Sequence, residues 1–148
     1  MTDLQYEEQK QRVENVLEKF IKPLGFAWWD VGVVFERQPS LDDTDNKEVQ
    51  GTCQSFWQYR SATLTFYLAS LSGVNDRDLE DMVIHELCHI LVAPVEDYSS
   101  PDKQDKTELA TTNVAFALRF AYEEGKRLGR EELLAKQNTK PETPKKAK

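Results

Sequence analysis

From Leu79 to Val92 the chain reads Leu-Glu-Asp-Met-Val-Ile-His-Glu-Leu-Cys-His-Ile-Leu-Val. Leu79, Met82, Val83, Ile84, Leu87, Ile90, Leu91 and Val92 recur at the spacing of one strongly apolar helix. Such a helix has to be buried on much of its surface. It also carries His85, Glu86 and His89, which lose hydration on burial unless something pairs with them. Any fold available to this chain must satisfy both demands. Residues four apart lie one turn apart on the same face, so His85 and His89 can grip one metal ion. Glu86 sits about 100° further round the helix than His85. That places its carboxylate beside such an ion, where it can accept a proton from a metal-activated water. These are the only two histidines among 148 residues. The competing reading is a chance pair in a chain with 26 acidic residues, and the desolvation argument weighs against it.

Length and charge narrow the function classes. Residues 1–137 fit one domain, and 138–148, rich in Lys and Pro, read as a disordered basic tail. A formal net charge of −7 speaks against a nucleic-acid partner, which needs a basic surface. No apolar run approaches the roughly 18 residues of a membrane span. The acidic start, Met1 to Glu8, lacks the basic and apolar segments of a signal peptide. Two cysteines, Cys53 and Cys88, make no disulfide framework. Free thiols and a cytoplasmic location are the expectation.

Along the chain, Thr2 and Gln5 form a capping box opening a helix whose buried stripe is Val13, Val16, Leu17 and Phe20. Pro23-Leu24-Gly25 ends it. Phe26–Glu36 reads as a strand with Trp29, Val31, Val33 and Phe35 on one face. Residues 37–50 read as a polar loop, without the ligand order of a calcium loop. Thr52–Trp57 and Ala62–Ala69 read as a hairpin turning near Gln58–Ser61, with Leu64, Phe66 and Leu68 facing the core. Asn75 or Asp76 caps the motif helix, which stops at Pro94. A polar loop from Val95 to about Gln104 leads into a second helix over Lys106–Lys126, punctuated by Gly125 and Gly129, with a short helix near Arg130–Gln137. The fold class is α+β: an N-terminal helix, a small three-stranded sheet, the motif helix and a second ligand-bearing helix, with helices on one face of the sheet.

Two histidines do not complete a catalytic zinc site, which takes three protein ligands and leaves a position open to water. Cys88 points roughly 60–100° away from both histidines on a helical wheel and reads as a small core residue. Metzincins place Gly and then His or Asp three and six residues after the motif, where this chain has Val92 and Val95, so that class is excluded. Glu96, Asp97, Asp102, Asp105, Glu108, Glu123 and Glu124 remain as carboxylates. Glu108, on the next helix, can swing in beside His85 and His89. Asp105-Lys106-Thr107-Glu108 equally fits a capping box, in which Glu108 would turn back onto its own helix end.

The signature His85-Glu86-Leu87-Cys88-His89, followed after 18 residues by Glu108, resembles the gluzincin zinc peptidases. Short proteins of similar layout occur in phages and prophages. The segment Glu108-Leu109-Ala110-Thr111-Thr112-Asn113-Val114-Ala115-Phe116-Ala117 also resembles the ImmA/IrrE-type peptidases. The resemblance spans about residues 62–122 and implies a zincin-like fold. It implies Zn²⁺ held by His85, His89 and Glu108, with Glu86 as general base for hydrolysis of a peptide or protein substrate. Tyr98 is the candidate to stabilise the oxyanion, ahead of Arg119 and Tyr122. Thermolysin-like enzymes carry an Asp four residues after the ligand Glu, and this chain has Thr112. The alternative is an inactive zincin scaffold acting through protein–protein binding.

Overall fold

The computed structural model describes residues 1–38, 40–41, 48–95 and 99–138. The chain is α+β: three α-helices and a three-stranded mixed sheet, with a small two-stranded sheet beside it. Helix α1 spans Asp3–Ile21 and opens with the expected capping box: Thr2 Oγ1 accepts from the Gln5 backbone N–H at 3.2 Å, and the Gln5 side chain accepts from the Thr2 N–H at 2.8 Å. Val13, Val16, Leu17 and Phe20 are its buried residues. The chain turns out of α1 through Gly25, whose φ of +89° suits a residue without Cβ.

The strand expected over 26–36 is divided. Phe26–Trp28 forms a short 3₁₀ turn, closed by the Trp29 N–H donating to the Phe26 carbonyl at 3.0 Å, and strand β1 covers Asp30–Glu36. Pairing explains the division, because β1 begins where it meets Ser61 of its neighbour. The ends of the polar segment 37–50 are also ordered, as antiparallel β2 (Ser40–Leu41) and β3 (Glu48–Val49). Strands β4 (Gly51–Phe56) and β5 (Ser61–Tyr67) form the expected hairpin, turning through Arg60 in the left-handed region. The sheet order is β1-β5-β4, with β1 parallel and β4 antiparallel to β5. Strand β5 is therefore central and β4 lies at an edge. One face of the sheet is covered: Ala62, Leu64 and Phe66 are buried there, while Asp30, Gly32 and Val34 face out.

Helix α2 (Asp76–Val92) begins at Asn75, whose side chain accepts from the Asp78 N–H at 3.0 Å. Leu79, Val83, Ile84, Leu87 and Ile90 place it in the core with Phe20, Phe26 and Leu68. The helix ends before Pro94, in a 3₁₀ turn over Ala93–Val95. Helix α3 differs from expectation. It runs without interruption from Pro101 to Asn138, 38 residues, through Gly125 and Gly129. Its true start carries the Ser100-Pro101 pair: the Ser100 carbonyl accepts from the Lys103 and Gln104 N–H groups, and proline suits the first helical position. Of the tail expected over 138–148, Asn138 ends α3 and the rest lies outside the described residues. Among the described residues, no helix is long and apolar enough to cross a membrane.

Candidate metal centre

Helices α2 and α3 pack side by side and bring one face of each together. On α2 the four-residue spacing puts His85 and His89 on that face, with their rings edge-on and centroids 4.9 Å apart. Because α3 starts at Pro101, Glu108 lies two turns inside it rather than in its first turn. The capping-box alternative is thereby removed, and the Glu108 side chain is turned toward α2. Its Oε2 lies 3.3 Å from His85 Nε2 and 3.7 Å from His89 Nε2. One ligand atom from each residue lies within 4.8 Å of the other two.

These separations fit a metal. Two donors each about 2.0–2.1 Å from a tetrahedral ion stand roughly 3.4 Å apart. The hydrogen bond to Glu108 raises the His85 pKa above its usual value, against the opposing effect of burial. The same bond, foremost, holds the Glu108 carboxyl below the usual range. Glu86 is 6% exposed, and burial pushes its pKa up to about 7, opposed by the nearby His85. A carboxyl with that proton affinity can both accept and release a proton near neutrality.

A cleft of about 400 Å³ opens over these groups. His85, Glu86, His89 and Glu108 line one side, and Gly51, Thr52 and Cys53 of the edge strand β4 line another. Gln104 of α3 stands at its border. Neither Cys53 nor Cys88 forms a disulfide among the described residues. Cys88 is buried, its pKa pushed up to about 12 by burial, and it stands apart from the metal group, as expected of a core residue.

A hydroxyl stands behind each imidazole. Thr112 Oγ1 is 3.5 Å from His85 Nδ1, at the position four residues after Glu108. Thr111 Oγ1 is 3.5 Å from His89 Nδ1. Metal-binding histidines typically engage their second ring nitrogen in this way. Thr111 and Gly51 were not singled out by the sequence. The signal for Thr111 was its place one residue before Thr112, and for Gly51 a glycine at the start of a strand, which often marks close approach of another element.

The other sequence candidates fare differently. Tyr98 lies outside the described residues. Arg119 is not delivered to the cleft. Its buried guanidinium pairs with Glu80 at 2.7 Å, Asp81 at 3.1 Å and Glu123 at 3.7 Å. Tyr122 packs edge-on against Phe20, ring centroids 5.0 Å apart. Both residues serve the α1–α2–α3 junction. No protein-family model, curated protein or solved structure matches this chain.

Proposed function

We propose that this chain is a zinc-dependent metallopeptidase of the gluzincin kind. The observation that carries the proposal is the approach of Glu108, from a separate helix, to the facing nitrogens of His85 and His89 beside a buried Glu86. Two imidazoles and a carboxylate are the donor set of a catalytic zinc, and three protein donors leave a fourth position open. Calcium and magnesium favour all-oxygen sites and fit this set poorly. Bound there, zinc would supply Lewis acidity, making a water more acidic and a carbonyl more electrophilic.

The chain's own groups account for the remaining steps. The Glu86 carboxylate takes a proton from the attacking water as its oxygen bonds to the peptide carbonyl carbon. It then passes that proton to the amide nitrogen as the carbon–nitrogen bond breaks. The edge strand β4 borders the cleft through Thr52 and Cys53, so an extended peptide can add as a further strand along it. Strand β5 is enclosed between β1 and β4 and offers no edge. A cleft of about 400 Å³ suits a few residues of such a peptide.

The test is to purify the protein, measure zinc per chain, and follow hydrolysis of a broad peptide library before and after Glu86→Gln. One zinc per chain, retained in the variant while hydrolysis disappears, is the expected result. Wild-type protein that takes up no zinc overturns the proposal.

A further inference from the structure

Strand β4 does not stop at the cleft. Gly51, Thr52 and Cys53 border the metal group, and the strand runs on to Phe56, about 17 Å from Gly51 at the usual rise per residue. Edge strands are ordinarily guarded against pairing by lysine, other charges or proline. The opposite edge, β1, follows that rule, with Asp30 and Glu36 at its ends. Strand β4 does not. From Gln50 to Tyr59 the chain has neither charge nor proline, in a sequence that is 30% charged. Among the described residues no strand pairs with its outer edge. The edge that leads to the cleft is therefore open to an extended chain.

The far end of β4 is aromatic. Phe56 pairs with Ser61, Ser61 pairs with Asp30, and the Asp30 N–H donates to the Arg60 carbonyl at 2.9 Å. This pairing gathers Trp28, Phe56, Trp57 and Tyr59 at one end of the sheet. Trp28 and Tyr59 are each 81% exposed, and Phe56 and Trp57 are close to half exposed. Single apolar residues on a surface are ordinary, but aromatic side chains left bare together mark a binding surface. Phe56 shares a face of β4 with Thr52 and Gln54, so every second side chain of an added strand would follow this row toward it.

We propose that β4 and the aromatic group beyond it form one track, whose occupant is an extended, uncharged polypeptide segment. That segment carries a bulky apolar residue four or five positions from the bond held at Glu86, the count from Gly51 or Thr52 to Phe56. The inference rests on the peptidase reading above for what happens at the cleft, and on the strand alone for the track. An isolated aromatic patch would take any apolar partner. Continuity with an unguarded edge selects an extended chain, because main-chain hydrogen bonds set its path and the aromatic group reads a side chain on it.

Binding is read first, without catalysis. The full chain carrying Glu86→Gln is titrated into a fluorescein-labelled peptide of about twelve residues, built from Thr, Gln and Ser with one central Phe, and anisotropy is followed. A second peptide has Ser in place of that Phe. The Phe peptide is expected to bind more tightly. Phe56→Ser and Trp57→Ser should each weaken it by about three- to tenfold. Far-UV circular dichroism should stay unchanged, because both side chains are already close to half exposed. N-methylation of alternate backbone nitrogens should block binding in one alternating set and spare the other, since an added strand donates to β4 from every second residue. Cuts made by wild-type protein in a peptide library are then mapped by mass spectrometry. Bulky apolar residues should be enriched four or five positions from the cut, and Trp57→Ser should erase the enrichment. Equal affinity for the Phe and Ser peptides overturns the inference, as does cleavage without that preference. A dimer in sedimentation that Trp57→Ser dissolves, or capture by phosphatidylcholine vesicles, assigns the aromatic end to a second copy or a lipid surface and overturns it too. Absence of zinc and of hydrolysis in wild type refutes the peptidase reading, while the anisotropy still decides whether β4 and its aromatic end take an extended chain.

Discussion

Gly51 lies against Glu86 so closely that an added Cβ would sit 3.0 Å from Glu86 Cγ and 3.1 Å from its carboxyl carbon and Oε1. The start of the edge strand is thus one wall of the pocket that holds the proposed base. Gly51→Ala forces the Glu86 side chain or β4 to move by a few tenths of an ångström. Overpacking of this kind costs about 1–3 kcal/mol. The larger effect is expected on catalysis, because a base displaced by a fraction of an ångström loses its alignment. Turnover should drop by about tenfold or more, with zinc content unchanged. Thermal unfolding, metal analysis and peptide hydrolysis on the same preparation check this. A Gly51→Ala protein of wild-type turnover would show that β4 does not position Glu86.

The Glu86 carboxyl also makes a prediction about pH in the metal-free protein. Burial raises its folded pKa to about 7 from a usual value of 4.5. A raised carboxyl favours the folded state fully below the unfolded pKa, and that contribution is lost as pH rises through 7. Glu86→Gln removes the titration while keeping the shape. The variant should therefore gain stability over wild type as pH rises, the gap widening by about 2–3 kcal/mol between roughly pH 5 and roughly pH 8.5. Urea unfolding of both proteins in chelator measures it. Parallel stability–pH curves would mean that Glu86 is solvated enough to ionise freely.

The parts of this architecture that local patterns control were legible in the sequence. The capping box at Thr2, the buried stripe of α1, the Asn75 cap and the apolar periodicity of α2 each depend on residues within a few positions of one another. The approach of Glu108 to His85 and His89 was legible as a candidate for a chemical reason, since a catalytic zinc takes a third donor besides two histidines. The start of α3 was misplaced because Asp105-Lys106-Thr107-Glu108 mimics a helix beginning, while Ser100-Pro101 carried the actual one. The sheet order, with β5 central and β4 at the cleft, depends on parallel pairing between residues 31 positions apart, such as Asp30 and Ser61, which no local pattern encodes. The contacts of Gly51 with Glu86 and of Thr111 with His89 exist only once β4 and α3 close on α2.

On the proposed reading, metal removal should weaken the fold measurably, because the proposed ligands come from two helices and would bind an ion only where both are docked. Binding at about a hundred times the dissociation constant stabilises by roughly 2.7 kcal/mol. For a chain of this size that corresponds to a rise in Tm of about 5–10 °C with zinc over the chelated protein. His85→Ala, His89→Ala and Glu108→Ala should each abolish most of that difference. Calorimetry with and without zinc reads it directly. A Glu108→Ala protein that keeps the full zinc-dependent rise would remove Glu108 from the ligand set.

Gly125 gives a test of helix α3 itself. It lies three residues beyond Tyr122, which still packs on Phe20, and a Cβ built on it meets no atom within 4 Å. Its φ is not positive, unlike those of Gly25 and Gly73, so nothing in its backbone requires glycine. Glycine inside a helix is less favourable than alanine by about 0.8–1.0 kcal/mol, because the unfolded chain has more freedom to lose. Gly125→Ala should therefore stabilise the protein by about 0.5–1 kcal/mol, with helicity maintained or increased by far-UV circular dichroism. If the helix instead ended near Lys126 with glycine as its left-handed cap, alanine there would be strained and the substitution would destabilise. The sign of one stability measurement decides whether α3 continues through Gly125 or breaks at it.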